Sequence, residues 1–134
     1  MPVELKTLLT HALDDEYKAE ATYAAVIDRF GPVRPFINIV EAERRHIEAI
    51  KGQFRRLGWD IPPNPWAGKV EPPLTLAGAC ETAVRAEVDN IALYDRLLPE
   101  IAEPGVHQTL SNLQRASRDN HLPAFRRCLS RETR

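Results

Sequence analysis

Five residues with the chemistry of metal ligands, Glu16, Glu43, His46, Glu87 and His121, fall where helical spacing calls for apolar side chains. A charged side chain is rarely buried without a partner, so five on inward faces ask for one shared explanation. Glu43-Arg-Arg-His46 presents a carboxylate and an imidazole on one helical face, because residues three apart are neighbours on a helix. Carboxylate oxygen with imidazole nitrogen suits iron or manganese, and zinc accepts the same donors. The competing explanation is a metal-free network in which His46, His121 and the nearby Arg118 neutralise the glutamates.

The elements that must position these residues are legible from apolar spacing and from proline. Leu5, Leu9, Ala12, Glu16, Ala19, Tyr23, Val26 and Phe30 follow alternating steps of four and three, as do Cys80, Val84, Glu87, Ile91, Tyr94 and Leu98. Phe36, Ile39, Glu43, His46, Ile50 and Phe54 trace a third face, and Val106, Leu110, Leu113, Ser117, His121, Ala124 and Cys128 a fourth. This is the period of amphipathic helices, and no segment alternates as a strand does. Ten of the eleven prolines bound these stretches, as expected of a residue that interrupts helices. The spacing predicts helices over about 3–30, 35–57, 74–98 and 105–130 in one all-α domain, 1–134, with a Pro-rich crossover over 58–73. Pro123 lies inside the last helix, two residues after His121, and predicts a kink or bulge there.

Hairpin arithmetic gives the heights. Glu16 and His46 average to residue 31, at the Gly31-Pro32 turn, and Glu87 and His121 average to 104, at Pro104-Gly105. Each hairpin therefore sets a carboxylate beside an imidazole at its own mid-height. An extended crossover of this length spans about 45–50 Å at about 3.1 Å per residue, whereas a helix of that size is only about 35 Å long. The third helix can thus start at the far end of the bundle. Glu16-x6-Tyr23 and Glu87-x6-Tyr94 repeat across the halves, as do His46-x2-Ala49 and His121-x2-Ala124, which fits a pseudo-twofold bundle with a composite central site.

Composition narrows the classes. With 134 residues, 28% of them charged, and a net charge of -1, there is room for one core and no basic field for a nucleic-acid backbone. No apolar run approaches the roughly 20 residues of a membrane span. MPVELKTLLT carries Glu4 and Lys6 and does not read as a secretory signal, which points to the cytoplasm. Cys80 and Cys128 have no Cys-x-x-Cys spacing; together they average to residue 104, at one level on inward faces, where a disulfide is geometrically conceivable, but in a reducing compartment two buried thiols are expected. Tyr23 and Tyr94 are expected to pack as ordinary core aromatics, with hydrogen bonds to carboxylates or an electron-relay role as the alternative, Trp59 and Trp66 to pin the crossover, and His11 and His107 to face solvent.

DDEYKAEATYAAVIDRFG followed by FINIVEAERRHIEAI resembles the first half of the ferritin-like superfamily, rubrerythrin-type carboxylate proteins included. AEVDNIALYDRLL with LQRASRDNHLPAF is similar to a smaller ferritin-like branch ending in an Asn-His-Leu segment. The resemblance implies a ferritin-like bundle with metal-ligand roles for Glu16, Glu43, His46, Glu87 and His121. It also implies one or two iron ions, oxygen or peroxide as a reactant in non-haem iron oxidoreductase chemistry of ferroxidase or peroxidase type, and pairing into a homodimer along a helix face. A second Glu-x-x-His calls for a carboxylate at position 118, where this chain has Arg118; Glu20, one turn after Glu16, is the reserve carboxylate.

Overall fold

The computed structural model describes residues 4–134, and all the regular structure among them is helical. Helix α1 spans Leu5–Phe30 and α2 Phe36–Arg56, and the two form the first hairpin. Helix α3 spans Leu76–Leu97; α4, Pro104–Ala116, and α5, Leu122–Glu132, are one helix interrupted by a π turn over Ser117–His121. The expected helix start at residue 3 lies outside the described residues. None of these helices is long and apolar enough to cross a membrane.

Local chemistry explains the boundaries. Gly31 takes a left-handed φ of 87° and its N–H donates to the Ile27 carbonyl, ending α1. Thr75 caps α3 by accepting from the Gly78 N–H, and Glu103 caps α4 by accepting from the N–H groups of Gly105 and Val106, with Pro104 in the first helical turn. The crossover is fastened to α1 along its length. Tyr17 Oη donates to the Pro62 carbonyl at 3.0 Å, and the Trp66 indole donates to Asp14 Oδ1 at 2.9 Å with the Lys18 ammonium 5.3 Å from the ring. Trp59 packs edge-on against Phe54, so both tryptophans hold the crossover as expected.

The crossover delivers α3 antiparallel to α1, which sets Tyr23 beside Glu87 and Tyr94 beside Glu16. The apolar interior forms two separate clusters. One gathers Leu9, Leu13, Ile50, Phe54 and Leu110 toward the start of α1; the other gathers Tyr23, Val26, Phe36, Phe125 and the cysteines toward its end. The polar residues of the stripes lie in a layer between them. Cys80 and Cys128 are buried at one level, but as a disulfide joining α3 to α5, not as the two thiols expected. Placing the cysteines in a reducing compartment had decided that expectation; geometry alone allowed the bond.

Candidate metal centre

Each of the four long helical elements sends its polar residues inward at the same height. Glu16 is 0% exposed, Glu43 and Glu87 1%, His121 4% and His46 7%. The two imidazoles stack with centroids 5.3 Å apart and planes 16° from parallel. Two ligand triplets result, Glu16–Glu43–His46 and Glu43–Glu87–His121, each with its donor atoms within 4.8 Å of one another. Glu43 belongs to both. All five residues singled out from the sequence therefore converge, and the level-matching of Glu16 with His46 and Glu87 with His121 holds.

The triplets differ in how far the protein satisfies itself. His121 Nδ1 lies 3.1 Å from Glu43 Oε1 and 3.2 Å from Glu87 Oε1, both hydrogen-bonding distances. In the other triplet His46 Nδ1 stands 3.6 Å from Glu16 Oε2 and from Glu43 Oε2. Those three atoms are buried without a hydrogen-bond partner. His46 Nδ1 is too far from either carboxylate for a hydrogen bond, and the three atoms together are too polar for packing.

The tyrosines are not ordinary core aromatics. Tyr94 Oη donates to Glu16 Oε1 at 2.5 Å, and Tyr23 Oη donates to Glu87 Oε2 at 2.5 Å, each reaching from the opposite helix. Each outer carboxylate thus has one oxygen held by a phenol and the other turned toward the imidazoles. The repeated Glu-x6-Tyr spacing carried this signal. Burial and the adjacent carboxylate charges push both phenols well above their ordinary range.

Two further polar residues, Asn90 and Ser117, were not picked out from the sequence as part of the site. Asn90 Nδ2 donates to Asp15 Oδ2 at 2.6 Å and lies 3.5 Å from Glu16 Oε1, while Ser117 Oγ donates to Asn90 Oδ1 at 3.0 Å. Ser117 reaches the core because of the π turn. Pro123 has no N–H to give the Asp119 carbonyl, and the Leu122 N–H returns instead to Ser117, five residues back. The wider turn holds one extra residue, so Ser117, four before His121, takes the face on which an uninterrupted helix would put residue 118. Arg118 is turned outward, 56% exposed, and pairs with Asp119 at 3.0 Å. It neutralises no buried glutamate, and that part of the metal-free explanation is overturned. Glu20 also stays outside, 3.4 Å from Arg44, and supplies no fourth carboxylate.

Electrostatics bind the cluster together. Desolvation disfavours ionised Glu16, but the close approach of Glu43 and of the His46 charge, with the hydrogen bond from Tyr94, outweighs it and brings Glu16 down to about 2. Glu43 is pushed up to about 8 by burial and by Glu16 beside it. Burial opposes charge on both imidazoles, yet the carboxylates prevail and raise His46 to about 10 and His121 to about 9. Glu16 and Glu43 titrate as a coupled pair, ionisation of the one opposing ionisation of the other.

Comparison of the chain with protein-family models, with curated proteins and with solved structures yields no match. What stands is the geometry: a four-helix bundle compatible with the ferritin-like arrangement, and a buried Glu/His cluster of a kind that can bind a metal.

Proposed function

We propose that this chain is a metal-binding four-helix protein whose central cluster holds iron or manganese, with zinc accepted by the same donors. One observation carries the reading. Glu16 Oε2, Glu43 Oε2 and His46 Nδ1, all buried and all unpaired, converge on one point. Leaving buried polar groups without partners costs about 1–3 kcal/mol each, and a divalent cation satisfies the three together.

In this reading His46 and His121 ligate through Nδ1, Glu16 and Glu87 are terminal carboxylates, and Glu43 serves both positions. Tyr94 and Tyr23 fix the two terminal carboxylates by holding their outer oxygens. Bound iron or manganese supplies one-electron redox chemistry toward oxygen or peroxide, and we assign the chain to non-haem oxidoreductases of ferroxidase or peroxidase type. The burial of all five ligands excludes bulky substrates and favours a small oxidant.

A second reading has its own observation: His121 Nδ1 already hydrogen-bonds Glu87 and lies in ion-pair contact with Glu43, as in a metal-free structural network. Elemental analysis of protein purified without chelator separates the two. The metal reading expects about one or two equivalents of a transition metal, lost in Glu43→Ala. Less than about a tenth of an equivalent, unchanged by Glu43→Ala and not restored by added Fe(II), Mn(II) or Zn(II), would refute it.

A further inference from the structure

We propose that the cluster is built for one tightly held divalent cation at Glu16–Glu43–His46, with a second, weaker position at Glu43–Glu87–His121. The proposal rests on the metal-binding reading and adds the order and inequality of loading.

Three independent features support the inequality. First, the unpaired atoms lie on one side only. The three donors of the Glu16 triplet have protons but no hydrogen-bond contact to give up when a cation arrives. At the other triplet a cation must break the contacts of His121 Nδ1 with Glu43 Oε1 and Glu87 Oε1.

Second, the pseudo-twofold relation is broken on the α4–α5 side. Glu43 on α2 has Ser117 as its counterpart, and Ala19 on α1 has Asn90 as its counterpart on α3. Where α2 carries a carboxylate the α4–α5 side carries a hydroxymethyl, where α1 carries an alanine α3 carries a carboxamide, and these two polar groups meet at 3.0 Å. Ser117 and Asn90 are both buried and satisfied by each other and by Asp15. They leave no free anionic donor for the second cation.

Third, charge is short. Three carboxylates, even all ionised, do not balance two divalent ions in a buried site, whereas they exceed the charge of one.

The test is a titration of the chelated full-length chain with Co(II), followed by calorimetry and by the visible absorption of the bound ion. The expected isotherm has two steps, the first equivalent tighter than the second by about tenfold or more. His46→Gln is expected to weaken the first step by about tenfold or more, and His121→Gln to remove the second step while weakening the first by less than His46→Gln does. Ser117→Glu restores a carboxylate opposite Glu43 and is expected to tighten the second step. Circular dichroism confirms that each variant keeps its helices, and the wild-type isotherm needs no variant at all. Two equivalents loading as one indistinguishable class, or a first step lost in His121→Gln and kept in His46→Gln, overturns the proposal. No Co(II) bound by the wild-type chain sinks the metal reading itself, so the two failures are distinguishable.

Discussion

Raising pH from 6.5 to 9 should destabilise the ion-free protein and strengthen its hold on a cation. The sign follows from the direction of each shift. His46 is raised from 6.5 to about 10, His121 from 6.5 to about 9, and Glu43 from 4.5 to about 8. Each raised group contributes stability that is complete below its unfolded value and lost as pH climbs through its folded value. All three windows cover pH 6.5–8, so the folded ion-free chain there holds protons that the unfolded chain has released. Each such proton tilts stability by about 1.4 kcal/mol per pH unit. Counting only one of the three, to allow for their coupling, still gives a loss of about 3 kcal/mol between pH 7 and pH 9. For a chain of this length that is a fall in Tm of about 10 °C. Glu16, lowered to about 2, works at the other end: its contribution is present above 4.5 and lost as pH falls toward 2. A bound cation reverses the alkaline slope, because it requires neutral imidazoles and an ionised Glu43. Its apparent affinity should rise by about tenfold or more per pH unit over the same range. Thermal melts of chelated and metal-loaded protein at half-unit pH steps measure both slopes. A chelated Tm that is level from pH 6.5 to 9 would refute the electrostatic account of the cluster. A cation affinity that ignores pH would refute the claim that these three groups are what the ion displaces.

Tyr94→Phe removes the hydroxyl that holds Glu16 Oε1 at 2.5 Å. It should cost about 1–3 kcal/mol in the ion-free protein by chemical denaturation and weaken the first cation by about tenfold or more. Replacing Cys80 and Cys128 together by alanine opens a link between residues 48 apart and should cost about 4 kcal/mol of unfolding free energy, with ion stoichiometry unchanged. Arg118→Ala should change neither Tm nor the ion content measurably, since the guanidinium meets only Asp119 at the surface.

The helices, their order and the levels of their polar residues were readable because they depend on short-range rules. Proline and glycine mark boundaries by their own backbone limits, and a 3.6-residue period reports which side of a helix is buried. Hairpin level-matching then needs only a turn position and a constant rise. The same arithmetic placed the cysteines at one height, but their chemical state turned on an assumption about surroundings that no spacing carries. The tyrosines were misjudged for a related reason. A phenol on an inward stripe looks alike whether its hydroxyl meets hydrocarbon or a carboxylate on the opposite helix, and only the antiparallel placement of α3 on α1 decides it.

The fourth carboxylate shows where periodicity itself fails. Reading position 118 as the partner of His121 assumes 3.6 residues in every turn, and Pro123 breaks that assumption by withdrawing one N–H. The proline was visible and a bulge beside His121 was expected from it. Carried through the register, the extra residue moves the inward position from Arg118 to Ser117, and a charge in the core becomes a hydroxyl. The difference bears directly on function. An arginine in that place would occupy the site with its own positive charge and leave no need for a cation. A serine tied to Asn90 leaves Glu16, Glu43 and His46 facing one another in the core with no arginine among them.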